Sequence, residues 1–187
     1  MTEQLGPLKH TTPKSSRPYM PDYGVLDTQR GQGLLPWSWA IERLSTATNY
    51  WIATTRQNGQ PHIMPVWGIW LDGAFYFSTG RRSRKARNLA VNPRCVICPE
   101  RAAEPVVLEG IAYRVTDPAL LRQMADAYSG KYHWPIEPAE DGVRDAQGNI
   151  GPVFAVYPRV VFGFGEDLTG SASRPSLIER WKKRVWE

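Results

Sequence analysis

Two dipeptides constrain this chain most. Asn58-Gly59 separates "YWIATTR" from "QPHIMPVWGIWL", and Asp72-Gly73 separates that run from "AFYFST". Asn, Asp and Gly tolerate the positive φ of tight hairpin turns, so three β-rich runs joined by such pairs predict an antiparallel meander. The middle run is apolar on both faces, which predicts cover on both sides, by protein or by a ligand.

Further strands are expected at "RCVICPE" and "EPVVLEGIAYRVT", the second long enough to bend around a barrel, and "PVFAVYPRVVFGFGE" predicts two final strands around Pro158. Helices are expected near "WSWAIERLSTA", where Trp39 and Leu44 fit one side, from Ser83 onward, and at "PALLRQMADAY". Asp117 suits the N-cap of that last helix and Pro118 its first position. "KYHWPIEPAEDGVRDAQGNIG" reads as a turn-rich loop and "RPSLIERWKKRVWE" as a terminal helix. Six or seven antiparallel strands with a few helices predict an α+β chain built on a small barrel. Residues 1–36 hold five prolines and few large aliphatics, so they predict an arm laid over a partner subunit, ahead of a single domain over 37–187.

At 187 residues, 42% hydrophobic, the chain is long enough for one domain with a substantial core. Its uncharged apolar run from Ile63 to Leu71 is far shorter than the roughly 20 residues of a spanning helix. With no charged-then-apolar signal at the start, a cytoplasmic protein without a membrane span is expected. Cys95 and Cys98 stand three apart on a predicted strand and so face opposite sides, which disfavours a shared metal or a disulfide. Only His10, His62 and His133 are available as further ligands, and no metal site is expected.

Charge is concentrated. Arg81, Arg82, Arg84, Lys85, Arg87, Arg94 and Arg101 stand against one acid, Glu100, so this segment alone exceeds the chain's net charge of +5. Several of these cations sit at a helix start, where each costs roughly 0.3–1 kcal/mol against the macrodipole when unpaired. Ser83 as N-cap, free N–H groups, Arg84 and Lys85 together suit a phosphate. A solvated, screened face is an equal alternative for the segment taken alone. Nucleic acid is not expected as a partner, because the patch belongs to no helix-turn-helix or aromatic sheet motif.

The motifs "G-x-P-H-x-x-P-V-W" and "F-S-T-G-x-x-S-R-K-x-x-N-L-x-x-N-P" carry a resemblance. From about Trp39 to Phe164 the chain resembles the pyridoxamine 5′-phosphate oxidase-like split β-barrel superfamily, and more narrowly its F420-using flavin/deazaflavin oxidoreductases. The resemblance implies that Met64, Pro65, Val66 and Trp67 lie beside the cofactor ring. Ser78, Thr79, Ser83, Arg84 and Lys85 would hold its phosphate. It implies an oxidoreductase in which reduced F420 passes a hydride to an unsaturated or electron-poor small molecule, acting as a homodimer with the cofactor at the subunit junction. FMN competes for the same slot, and a non-catalytic carrier of flavin, deazaflavin or haem stays open. Arg81, Arg82 and Arg87 tilt the balance toward F420, whose acidic tail needs a longer basic groove.

Several residues have two readings. Gly68 admits close approach of a flat ring or marks a bulge. Trp67 is expected on the cofactor side and Trp70 in the core, while His62, at a strand start, is expected to be structural. Lys131 and Tyr132 resemble a pair that finishes the pocket in this branch, with Tyr132 or a water as proton donor, and no catalytic residue is assigned. Oxidation of pyridoxine phosphate itself is not expected, since "ERWKKRVWE" stands where such enzymes carry an Arg-Leu-x-Pro-like ending.

Overall fold

The computed structural model describes residues 13–20, 34–165 and 170–175; the expected terminal helix falls almost wholly outside them. Along the chain run β1 (Lys14–Ser16), α1 (Trp37–Thr46), β2 (Tyr50–Thr55), β3 (Pro61–Val66), β4 (Ile69–Leu71) and β5 (Ala74–Ser78). Then come α2 (Arg84–Val91), β6 (Arg94–Pro99), β7 (Val106–Arg114), α3 (Pro118–Tyr132), β8 (Ile136–Ala139), β9 (Gly142–Asp145), β10 (Ile150–Gly151), β11 (Val153–Phe164) and β12 (Gly170–Arg174).

Both hairpin turns form. Gly59, at φ 83°, closes a loop in which its N–H bonds the Arg56 carbonyl and the Arg56 N–H bonds the Gln60 carbonyl. Asp72 and Gly73 both have positive φ and join β4 to β5 directly, with Leu71 opposite Ala74. The meander itself is not continuous. The middle run breaks at Trp67–Gly68 into β3, which pairs with β2, and β4, which pairs with β5.

That break sets the architecture. The larger sheet has nine strands in the order β1-β12-β11-β7-β6-β2-β3, with β5 on β11 and β4 on β5. Its edges at β3 and β4 are therefore separated by two residues of chain, so the sheet curls back on itself without closing. This is an α+β split β-barrel. The hub is β11, whose one edge pairs with β7 while the other is shared by β5 at residues 153–156 and β12 at residues 161–164. The two strands expected around Pro158 are thus one strand. Pro158 lies opposite Gly110 at a register shift, where a missing N–H does least damage to the ladder.

The segment expected as a loop is a small antiparallel sheet, β8-β9-β10. Its strands are too short and polar to show periodicity. The β9–β10 turn is instead closed by Asp145, whose carboxylate accepts from the N–H groups of Gln147 and Asn149 and from Asn149 Nδ2. In the N-terminal segment, β1 pairs with β12 and adds an outer strand to the main sheet.

Two apolar clusters share β5 and β11. Phe75, Phe77 and Val156 face the barrel interior with Leu44, Tyr50, Ile52, Ile97 and Leu108. Tyr76, Val153, Ala155 and Tyr157 face the other way, against Leu121, Met124 and Ala125 of α3. These two strands are the ones covered on both faces. In contrast, β3 stands at the sheet edge with Ile63 58% and Met64 43% exposed, so the cover expected for the middle run is not supplied by the described residues of this chain. Among those residues no helix is long and apolar enough to cross a membrane.

Gly68 is fixed by packing: a Cβ there would collide with the Phe75 ring and lie 2.7 Å from the Tyr76 carbonyl oxygen. Its lack of a side chain lets the chain seat on β5 at a strand break, in place of the expected bulge. Gly68→Ala is expected to lower unfolding free energy by about 1–3 kcal/mol, as overpacked cores do, measured by urea denaturation.

Candidate cofactor site

The start of α2 is built locally. Ser83 caps the helix as expected, its Oγ accepting the Ala86 N–H at 3.2 Å, and Thr79 Oγ1 lies 3.1 Å from the same oxygen. Ser78 Oγ donates to the Pro152 carbonyl, and the Thr79 N–H reaches it too, which ties the β5 end to the start of β11. Thr79 and Ser83 therefore pair their hydroxyls at the helix entrance, while the Ser78 hydroxyl turns away to the Pro152 carbonyl. The Arg87 N–H returns to the Ser83 carbonyl, leaving the N–H groups of Arg84 and Lys85 without a backbone partner.

The cations around this entrance divide into two groups. Arg81 donates to Asp141 at 2.7 Å, with Arg114 at 3.6 Å from the same carboxylate, and Arg101 pairs with Glu104. Asp141 is held below its usual range mainly by the Arg81 hydrogen bond. Part of the anion that the sequence seemed to lack is thus Asp141, in the segment expected as a loop. Arg82, Arg84, Lys85 and Arg87 have no ion-pair partner among the described residues. Lys85 is half-buried, and desolvation pulls it below its usual range. A partly desolvated ammonium without a counter-charge, next to free helix N–H groups and two hydroxyls, is a donor set that fits a phosphate.

The helix is also pinned to the barrel. Asn88 Nδ2 donates to Thr54 Oγ1 at 2.9 Å, and that hydroxyl lies 3.4 Å from both the Nδ1 and the carbonyl of His62. Desolvation, and then the charges of Arg56, Lys85 and Arg84, hold His62 below its usual range, which places the cations beside the start of β3. The register puts His62, Met64 and Val66 opposite Thr54, Ile52 and Tyr50, on the face that α2 covers. Of the expected ring-side residues, Met64 shares this face and is exposed, Val66 is buried in the core, and Pro65 belongs to the other face, opposite Trp51.

Trp67 leaves the sheet. Its ring stacks on Tyr132 at 4.7 Å and 4°, near Tyr128, and its Nε1–H donates to Asn49 Oδ1. Trp70 packs against the barrel core, edge-on to Trp37. The adjoining Gly68 peptide is clamped from α3: its N–H donates to Tyr132 Oη at 2.9 Å, and its carbonyl lies 2.8 Å from that hydroxyl and 3.2 Å from Lys131 Nζ. Lys131 Nζ also donates to Tyr50 Oη and the Ser45 carbonyl. Tyr132 Oη lies 2.8 Å from the carbonyl oxygens of both Gly68 and Thr48 and accepts the Gly68 N–H, so this residue holds the strand break. Nothing local in the sequence signals this clamp, or the roles of Asn49, Asn88 and Asp141.

Cys95 faces the barrel core and Cys98 the opposite side of β6. Burial pushes Cys95 up to about 12 and raises Cys98 as well, so neither is an activated thiolate.

A partly closed barrel with a cationic helix entrance beside an open strand defines a class, the split-barrel proteins. The sequence model for pyridoxamine 5′-phosphate oxidase matches residues 41–150, more than half of the chain, and the protein belongs to this family. Solved structures of like fold include a conserved hypothetical protein from Mycobacterium tuberculosis, 20% identical, covering 71% of this chain and 86% of that one, at a TM-score of 0.59. A heme binding protein from Mycobacterium smegmatis is 19% identical over 75% of this chain and 60% of its own, at 0.57. An F420 reductase is 19% identical over 64% and 93%, at 0.50. At these identities the shared property is the fold. Comparison with curated proteins gives no match.

Burial takes Lys131 from an ordinary 10.5 down to about 8, with Glu100 opposing. Above about 8 the unfolded chain binds more protons at this position than the folded one, so stability contributed here rises with pH. Tyr50, Tyr128 and Tyr132 are shifted upward from 10.0 by burial and reverse the trend above that value. Urea midpoints from pH 8 to 10 are expected to show wild type gaining stability relative to Lys131→Met. A gap constant with pH would contradict the desolvated lysine.

Proposed function

We propose that the protein is an oxidoreductase that uses reduced F420 to transfer a hydride to an unsaturated or electron-poor small organic molecule. The observation that carries this reading is the half-buried Lys85, without a counter-charge among the described residues, at a helix entrance beside the exposed edge strand β3. Ser78, Thr79, Ser83, Arg84 and Lys85 hold the cofactor phosphate, and the segment from Met64 to Trp67, the end of β3 and the residue after it, supports the ring. When bound, reduced F420 supplies the hydride, and a solvent proton completes reduction of the acceptor.

The chain's own contribution is binding, orientation and exclusion of water. Helix N–H groups and Lys85 neutralise the phosphate. Met64 offers an apolar contact beside them, and Trp67 is held in one orientation by Tyr132 and Asn49. Tyr132 and Lys131 fix the Gly68 peptide and act by positioning.

F420 is preferred over FMN because Arg82 and Arg87 have no ion-pair partner among the described residues and are available to an acidic tail, although Arg81, engaged by Asp141, drops out of that argument. FMN is the second reading: a single phosphate is satisfied by Lys85, the hydroxyls and the two helix N–H groups. A carrier without turnover would use the same seat. We further propose a homodimer, in which a second copy covers Ile63 and the other exposed apolar residues of the β2–β3 face, with residues 1–36 as an arm ahead of the barrel domain that lends β1 to its main sheet.

Fluorescence titration with F420 and FMN tests the seat. Lys85→Ala is expected to weaken either by about 1.5–3 kcal/mol, the range for a hydrogen bond to a charged group. Arg82→Ala with Arg87→Ala weakens F420 and leaves FMN unchanged if the tail lies there; tighter FMN binding, insensitive to the arginines, favours the second reading. Reduced cofactor that binds and is not consumed by a panel of electron-poor acceptors indicates a carrier. Light scattering is expected to give twice the 21.2 kDa chain mass; a monomer would remove the dimer.

A further inference from the structure

Glu100 follows β6 and stands across from the link between α1 and β2. Tyr50 lies opposite Pro99 in the β2–β6 ladder, and one residue beyond it the Glu100 N–H still donates to the Asn49 carbonyl at 3.1 Å. Both oxygens of its carboxylate are then used. Oε1 accepts the backbone N–H groups of Thr48 and Asn49, each at 3.3 Å, and Oε2 accepts Asn49 Nδ2 at 2.7 Å. The side-chain and backbone hydrogen bonds from Asn49 hold Glu100 below the usual carboxylate range, so the group is ionised and can only accept.

Asn49 therefore stands between two groups of fixed polarity. The carboxylate has no proton to give and the Trp67 indole N–H can only donate, so the amide between them has one orientation that satisfies both: Nδ2 to Glu100, and Oδ1 to Trp67 at 3.2 Å. Trp67 is stacked on Tyr132 and still 42% exposed. With its N–H spent on Asn49, the ring has only its π surface and carbon edge left for a ligand. A neutral amide in place of the carboxylate would undo this arrangement. Glutamine has a single acceptor oxygen; kept on the two backbone N–H groups, it leaves its NH2 facing Asn49, which must turn its own oxygen there and present Nδ2 to an indole that also donates.

We propose that Glu100 is a positioning residue of the cofactor site: acting through Asn49, it sets the hydrogen-bond polarity that locks the Trp67 ring in the attitude in which a planar ligand meets it. The part that concerns a cofactor rests on the oxidoreductase reading; the control of Trp67 rests on the hydrogen bonds alone.

Nitrogen–proton correlation spectra of the full chain read the Trp67 indole without any cofactor, its signal being the one among eight tryptophans that disappears in Trp67→Phe. Glu100→Gln is expected to move that signal and to make its exchange with solvent roughly fivefold faster, the factor that one ordinary hydrogen bond represents. Adding Asn49→Asp restores both at unchanged net charge, because the aspartate accepts from the glutamine NH2 with one oxygen and from the indole with the other. That rescue separates positioning from general damage, which a second substitution would deepen. In fluorescence titration, F420 and FMN are expected to bind Glu100→Gln roughly fivefold more weakly and to recover in the double variant. Lys85→Ala, in contrast, weakens them and leaves the Trp67 signal in place. An unmoved Trp67 signal in Glu100→Gln, a signal that Asn49→Asp does not restore, or a cofactor that binds wild type and Glu100→Gln equally well overturns the proposal. If wild type binds neither cofactor while the spectral pattern holds, the cofactor reading falls, and the control of Trp67 by Glu100 stands.

Discussion

The Gly68 peptide is the point on which the molecule turns. A barrel whose open edges are consecutive strands must pass from one edge to the other in very little chain, and here it does so in Trp67 and Gly68. Such a crossing strands backbone groups that neither edge can pair. Tyr132 and Lys131 supply the missing partners, so the end of α3 completes the hydrogen bonding of a sheet it does not belong to. A buried, unpaired amide costs on the order of 1–3 kcal/mol. The same contacts set the Trp67 ring parallel to Tyr132, so the element that holds the split barrel together also determines what the candidate site presents.

Charge at the α2 entrance follows a different logic. Stability alone would place an acid in the first turn, where the helix N-terminus favours it, yet α2 carries none there. Asp141 approaches from a separate sheet and neutralises Arg81, leaving the cations nearest the cap unmatched. Lys85 is drawn partly out of water beside them. Desolvating a cation without a partner is unfavourable in the isolated chain, and that cost is offset when an anion arrives. The proposed seat around Ser83 rests on this asymmetry between Arg81, paired with Asp141, and Lys85, which has no ion-pair partner among the described residues.

What the sequence disclosed, and what it hid, divides by range. The turns at Gly59 and Asp72–Gly73 and the caps at Ser83 and Asp117 are local devices, and each appears where its residues predict it. The β8–β10 sheet was hidden because its strands are only two to four residues long and its order comes from an Asp–Asn turn, not from apolar alternation. The continuity of β11 was hidden because Pro158 reads as a stop until Gly110 is known to lie opposite. Lys131 and Tyr132 were legible only through resemblance, since their partner Gly68 is more than sixty residues away.

The free edge of β3 joins these strands of argument. Because Arg56 and Gln60 form a bonded pair at the turn, Thr54–His62 and Ile52–Met64 are bonded pairs in turn, and Pro61, Ile63 and Pro65 direct their backbones to the open side. Two of those three residues have no N–H. The edge thus presents three carbonyls around a single donor, a poor template for another strand, which needs donors and acceptors in alternation. Open strand edges otherwise invite association, so this one is protected against a further strand while remaining chemically addressable. A group that meets this edge has to bring mainly N–H or O–H donors, since the edge itself offers the Ile63 N–H alone. A strand that refuses other strands thus stands next to a lysine with no ion-pair partner among the described residues, and the proposed cofactor seat rests on that pairing of features.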